Sequence, residues 1–415
     1  MTAQHRAADP RRVRRRFTAA TLIDSFGSGL WLPFVLLFLV HGRGMGLTEA
    51  GGALSLGALL GLAAGPLSGS LVDRAGPVAV LVLGNVVRLV AFACYPSTSA
   101  TWQVVLVTTL AGVGDRLFWT ANAPVVTALT TGRGAERLLG TQTVARFLGA
   151  GLGAGATALV PVDDPSTYAV LAYLNAASFG VAALLVAGVR TPTGPDGRAP
   201  ERGGWGVVLR DRPYTAFCAA HVLFTLASTG KYSMLPILVL DVLRGPHWLP
   251  GAALGLGTVT VLLLQRPVTR LAARWSRGTG LVAAAVVFAC SFAALVPVAA
   301  LPPAGAVAVV LAVSVTFAFA EALFAPLSTA AAAAAAPPGA QGRASALFQL
   351  SWAIPAVGGP ALFTALLAAG APVLWTTLAL TSAAVVPAVR RLRRSPTLGL
   401  HTAPAPVARR PAREP

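Results

Sequence analysis

Seven ionisable side chains stand inside long apolar runs of this sequence: Asp24, Arg88, Asp115, Arg116, Arg146, Lys231 and Glu321. A charge at the centre of a lipid-spanning helix costs about 2.5–3.5 kcal/mol on insertion scales, so each needs a partner, a water path or a task. Asp24, Asp115, Glu321 and Lys231 can exchange a proton, whereas arginine stays charged and can only pair or bind an anion. Asp24 lies roughly 10 Å into its run at the helical rise. Asp24 is the first choice for carrying a proton and Glu321 the second. Asp115 is expected to pair with Arg116 or Arg146, and Arg88 to pair or snorkel. The plainer reading, that these acids are structural ion-pair partners, stays open.

The elements that must hold these groups follow from composition. Of 415 residues, 55% are hydrophobic and 11% charged, with a mean hydropathy of +0.70. A soluble domain carries about 25% charged residues, so the solvent for most of this surface is lipid. A hydrocarbon core of ~30 Å needs ~20 helical residues per crossing, and unpaired backbone groups exclude other spanning elements short of a closed barrel. Cutting at charge, proline and glycine predicts twelve helices: 17–40, 51–72, 78–97, 102–124, 139–160, 167–189, 214–240, 250–272, 279–300, 304–327, 344–367 and 371–390. The first run is long for a signal peptide and lacks an A-x-A cleavage site, so it is read as retained. A basic segment 1–16, a six-helix unit 17–189, a polar linker 190–213, a second six-helix unit 214–390 and a basic, disordered tail 391–415 complete the plan.

The net charge of +18 does not point to nucleic acid, because no basic stretch is interleaved with stacking aromatics. Six arginines precede the first run and seven follow the start of the last turn, from Arg390 to Arg413. Most others fall in every second loop, including Arg274, Arg277 and Arg343, whereas the opposite loops hold only Arg43 and Arg244 as cations, beside Glu49, Asp163, Asp164 and Asp241. That distribution places both termini in the cytoplasm of a cell-membrane protein. Cys94, Cys218 and Cys290 sit in apolar runs and imply no disulfide framework. Of five histidines only His221 falls in a span, and no metal spacing, nucleophile elbow or phosphate loop occurs, so no enzyme activity, metal or cofactor is expected.

The halves repeat. The offset that takes Asp115-Arg116-Leu117-Phe118 onto Glu321-Ala322-Leu323-Phe324 also takes Arg137 to Arg343 and Gly153 to Gly359. Units of six helices keep one orientation, so the axis relating them runs along the membrane normal.

The loop Gly69-Ser70-Leu71-Val72-Asp73-Arg74-Ala75-Gly76 resembles the G-x-L-a-D-R-x-G-R-K signature of the major facilitator superfamily, in the position that family gives it. The resemblance implies an all-α membrane fold of two pseudo-symmetric six-helix bundles, similar to drug/proton antiporters. It implies a cytoplasmic latch of Gly69, Asp73, Arg74 and Gly76 against Arg343 at the start of helix 11. It also implies a central cavity lined by helices 1, 4, 7 and 10, which carry Asp24, Asp115, Arg116, Lys231 and Glu321. Trp31, Phe34, Phe118, Trp119, Asn122, Phe224, Tyr232, Phe317, Phe324, Gln349 and Trp352 are its expected lining, suited to an amphipathic organic molecule. Departures are visible. Pro77 and Val78 replace the final basic pair, Arg270 to Trp275 lacks the acid, Thr108 stands where an arginine is called for, and Gly149 and Gly153 lack the following proline. The glycines of helix 5 permit close contact, and Pro355, Gly358, Gly359 and Pro360 are expected to interrupt helix 11 as a hinge. The expectation is a monomeric secondary transporter in the bilayer, coupled to protons and exporting a small molecule. An importer or facilitator of a small metabolite, and a membrane-embedded enzyme, remain as alternatives.

Overall fold

The computed structural model describes residues 10–129, 133–159, 165–189, 205–272, 274–337 and 341–401. Most of residues 1–16, the linker stretch 190–204 and residues 402–415 lie outside the described residues, as do the side chains of Gly69 and Asp73. Among the described residues the helices group into twelve segments, with a short further helix, Trp205–Arg210, before the seventh. They are α1 (Pro10–Trp31, continued by Val35–Leu37 and a π turn Phe38–Gly42), α2 (Leu47–Leu62, continued by Gly65–Ala75), α3 (Pro77–Cys94) and α4 (Thr101–Leu129). Then follow α5 (Arg133–Ala156), α6 (Pro165–Ala187), α7 (Arg212–Ile237, with a π turn Leu238–Val242) and α8 (Trp248–Ala272). The last are α9 (Arg277–Leu295), α10 (Pro303–Ala335), α11 (Gln341–Ala368) and α12 (Ala371–Leu392).

Among the described residues nine helices are long and apolar enough to cross a membrane, or ten if the pieces of α1, bent by 45°, count as one span. Two further apolar stretches, Leu47–Leu62 and Val144–Leu159, are shorter. Proline explains where several elements bend. Pro33 follows the last full turn of α1, and Gly65-Pro66 restarts α2 after its break. α11 departs from expectation, because it runs unbroken through Pro355 and Pro360. A proline cannot donate to the carbonyl four residues earlier. The Ser351 carbonyl freed by Pro355 accepts instead from Thr225 Oγ1 of α7 at 2.8 Å, so the site is a cross-helix tie rather than an interruption. The Ala322 carbonyl freed by Pro326 in α10 likewise accepts from Gln265 Nε2 of α8 at 3.4 Å.

The repeat is visible in the packing. α5 lies on α1 and α11 on α7, α3 packs on α4 and α6 as α9 does on α10 and α12, and α2 packs on α4 as α8 does on α10. The paired glycines do the same work in each half. A Cβ on Gly153 would strike the Phe26 carbonyl of α1, and one on Gly359 would meet Phe363 of its own helix and, at 3.4 Å, Thr229 of α7.

The halves meet through α2 with α11 and α5 with α8, mainly at the end of the bundle opposite the termini. Ser55 Oγ accepts from the Ala361 amide at 2.9 Å, and His41 Nε2 lies 3.1 Å from Asp241 Oδ1 at the matching π turns. A Cβ on Gly155 would lie 3.4 Å from Gly255 Cα, and one on Gly255 would lie 2.8 Å from Gly155 Cα. The Gly65–Ala75 piece of α2 packs instead on α3 and α4 of its own half. Gly155→Leu is therefore expected to hold that end apart. Spin labels on Arg43→Cys and Arg244→Cys should report a longer distance, and an unchanged distance would refute the close contact. At the chain's end, Leu398 and Leu400 are buried and the Leu400 carbonyl accepts from the Gly278 amide at 2.8 Å. Residues 396–401 thus pack on the second half, which shortens the tail expected from 391 onward.

Candidate functional site

The charges of the first half gather around Arg88. Its Nη1 lies 3.2 Å from Asp24 Oδ1 and 3.4 Å from Asp115 Oδ1, and its Nη2 donates to Asn85 Oδ1 at 2.6 Å. The guanidinium also stands 4.4 Å from the Phe118 ring centre and 4.2 Å from that of Phe179. Sequence reasoning gave Arg88 a pairing role without its partners. It gave Asp115 the partner Arg116, which does stand beside it, but not Arg88, which pairs with it. A side chain on the third helix reaches the first and fourth because Gly84 and Gly114 let α3 and α4 approach closely, each crowding the other's backbone. The two acids differ in access. The Asp24 side chain is 9% exposed and that of Asp115 is 47% exposed. Asp24 is sealed into an ion pair, while Asp115 keeps one side open.

Near them, the Arg146 guanidinium of α5 lies over the Trp119 ring of α4, 4.1 Å from its centre. Gln142, one turn before Arg146, donates to Thr21 of α1 at 3.3 Å.

In the second half, Glu321 of α10 accepts from Ser228 Oγ and from Tyr232 OH, each at 3.0 Å. Ser228, Lys231 and Tyr232 occupy one face of α7 at the three- and four-residue helical spacing. Lys231 is fully buried, and its Nζ has no hydrogen-bond partner among the described residues. The amine stands 4.8 Å from the ring centres of both Tyr232 and Phe317, and a Cβ on Gly257 of α8 would come within 3.3 Å of it. Its nearest opposite charge is Glu321. An acid held by two hydroxyls beside an unbonded amine can gain or lose a proton without breaking an ion pair.

Several expected lining residues serve packing instead. Trp31 and Phe34 are buried in the first half, with Trp31 against Phe38, Phe92 and Tyr95. Phe118 is buried around Arg88. Phe224 and Phe324 stack at 4.5 Å, and Phe288 joins them to Phe317. Aromatic side chains recurring on helices pair with each other more readily than they face water. Trp119, Gln349 and Trp352 do keep open faces, Tyr232 is half-buried, and Asn122 is buried with Oδ1 unpartnered. Arg116 is half-buried beside Asp115. Of the expected latch, Asp73 and Gly69 lie outside the described side chains, Gly76 has φ +82, Arg74 is exposed and Arg343 is half-buried.

Sequence reasoning passed over one site. His221 Nδ1 and Ser351 Oγ lie 2.6 Å apart, with the ring against Phe348 and Phe324, and Nε2 is buried without a partner. The available signal was that His221 is the one histidine inside a span.

Comparison with known proteins follows this geometry. The sequence profile of the family described as Major Facilitator Superfamily matches residues 17–360. The chain is 27% identical over 275 residues to Multidrug resistance protein MdtH of Edwardsiella ictaluri, covering 64% of this chain and 65% of that one. It is 27% identical over 251 residues to the protein of that name from Cronobacter sakazakii, covering 59% of each. The matches thus span less than two thirds of these relatives' length. Among solved structures, the nucleoside transporter NupG superposes with a TM-score of 0.76 at 11% identity, covering 92% of this chain and 99% of that one. A POT family transporter in complex with a thioalcohol-conjugated peptide gives 0.75 at 13% identity, covering 93% and 96%.

Proposed function

The chain belongs to the Major Facilitator Superfamily, and from that premise we propose that it is a secondary transporter moving a small amphipathic organic compound across the cell membrane by alternating access. The observation that supports this reading is where the halves meet among the described residues. They touch mainly opposite the termini, while the sequence repeat puts an acid at the same place in each half, Asp115 and Glu321. Two rigid bundles joined at one end can rock about a midplane site and expose it to each side in turn. Twelve crossings with both termini in the cytoplasm fit the arginine distribution. The curated relatives named as multidrug resistance proteins favour export, and the Glu321, Lys231 and Tyr232 cluster favours coupling to protons.

Purified protein in proteoliposomes with an imposed proton gradient tests this directly. Uphill movement of a compound, collapsed by an uncoupler, is expected. Accumulation that ignores the uncoupler would favour facilitated movement, and no movement of any compound in either direction would end the transporter reading.

The resemblance of the signature loop supports a latch on the cytoplasmic side in which Asp73 takes part. Asp73→Asn is expected to shift the balance of states and to slow transport at unchanged expression. Cysteine-accessibility labelling on both membrane faces measures the balance, and an unaltered pattern with full transport would remove Asp73 from that role.

A further inference from the structure

The buried charges of the first half do not balance. Arg88, Arg116 and Arg146 bring three guanidinium groups to α3, α4 and α5, and Asp24 and Asp115 supply two carboxylates. Arg88 bridges both acids, and Arg116 stands beside Asp115. Arg146 is the cation left over. Among the described residues its contacts are the Trp119 face at 4.1 Å and a longer-range attraction to Asp24. A guanidinium over an indole face can still present N–H groups to a carboxylate in two parallel hydrogen bonds. Trp119 itself is 44% exposed, so part of its surface is open to a ligand.

Two further orphan groups lie on the same helix faces. Asn122 follows Trp119 by three residues on α4, and Gln142 precedes Arg146 by four on α5. They are 6% and 1% exposed, and among the described residues Asn122 Oδ1 and Gln142 Oε1 have no hydrogen-bond partner. Buried acceptors left unmade cost free energy until a donor arrives. The set is therefore one unneutralised cation, one open aromatic face and two waiting acceptors.

We propose that Arg146 and Trp119 form the recognition site for an aromatic carboxylate, with Asn122 and Gln142 taking donors on its ring. The inference rests on the transporter reading and names a substrate class for it. The carboxylate neutralises Arg146, and the ring stacks on Trp119. A cationic compound would meet surplus positive charge there and be rejected.

Thermal stabilisation of the detergent-purified protein by three probes of like size tests this: salicylate, its neutral amide salicylamide, and benzylammonium. Salicylate is expected to raise the melting temperature and the other two are not. Arg146→Gln should weaken salicylate binding by at least roughly tenfold, as loss of a charge-assisted pair requires. Arg146→Lys should retain part of it, and Trp119→Ala should weaken it while Trp119→Phe holds. Ligand-free melting and size-exclusion profiles identify any variant that fails to fold, and Arg146→Lys then carries the comparison. Stabilisation by benzylammonium as strong as by salicylate, no stabilisation by salicylate, or binding indifferent to Arg146→Gln and Trp119→Ala would each overturn the proposal. Arg146-dependent salicylate binding without any transport in proteoliposomes would sink the transporter reading and leave this site standing. Uphill transport of cations alone would do the reverse.

Discussion

Arg88→Leu is expected to destabilise the protein by about 3–5 kcal/mol, because it leaves the buried Asp24 carboxylate without its cation and takes the same cation from Asp115. Arg88 is buried, with a side chain 5% exposed, and reaches Asp24 at 3.2 Å and Asp115 at 3.4 Å. It also fills the gap between the Phe118 and Phe179 rings, so its removal loses packing as well as charge. The loss should be read as a shift in denaturation midpoint of the purified protein. Combining Arg88→Leu with Asp24→Asn and Asp115→Asn should recover much of it, since no unpaired charge then remains. The coupling between the sites is the quantity of interest, and a thermodynamic cycle isolates it. If the single variant and the triple variant are equally unstable, the contribution of Arg88 is packing alone. If the single variant is fully stable, the carboxylates do not depend on it.

How much of this was legible in the sequence depends on the range of the interaction. The crossings were readable because hydropathy is local, and the charges Asp24, Asp115, Lys231 and Glu321 stood out against an apolar background. The repeat was readable too, and the two glycines it pairs, Gly153 and Gly359, each lie against the first helix of their half. Partner choice was not readable. Arg88 sits 64 residues from Asp24, and nothing nearby in the chain says that Gly84 and Gly114 bring their helices together. The proline signal misled for a related reason. Pro355 reads as a break, but the carbonyl it frees is satisfied by Thr225 from α7, a residue far away in sequence. The aromatic lining failed because a ring's spacing on a helix does not tell whether a neighbouring ring, such as Phe288 beneath Phe224 and Phe324, already covers it. The sequence also ranked Asp24 above Glu321 for proton transfer on depth alone, which ignores what each acid touches.

Contacts reverse that order, and the second large effect follows. Glu321→Gln is expected to abolish uphill, proton-driven transport while leaving downhill exchange of substrate. Ser228 and Tyr232 each donate to a different carboxylate oxygen at 3.0 Å; the amide keeps an oxygen for one of them and its NH2 can donate to the other hydroxyl, so the local fold is preserved. What it cannot do is bind and release a proton. Asp24→Asn removes an acid already committed to Arg88, so its effect should fall on stability more than on coupling. Lys231 separates this from a purely structural role for Glu321. Its Nζ is buried without a hydrogen bond and has Glu321 as its electrostatic neighbour. Lys231→Met should keep the packing against Tyr232 and Phe317 while removing the countercharge. The pH at which uphill transport is half-maximal should therefore move in Lys231→Met and the response vanish in Glu321→Gln. The comparison is made in proteoliposomes, with exchange as the control for folding and binding. Retained uphill transport in Glu321→Gln would place coupling elsewhere, and Asp115, whose side chain is 47% exposed, would then be the acid with access to do it.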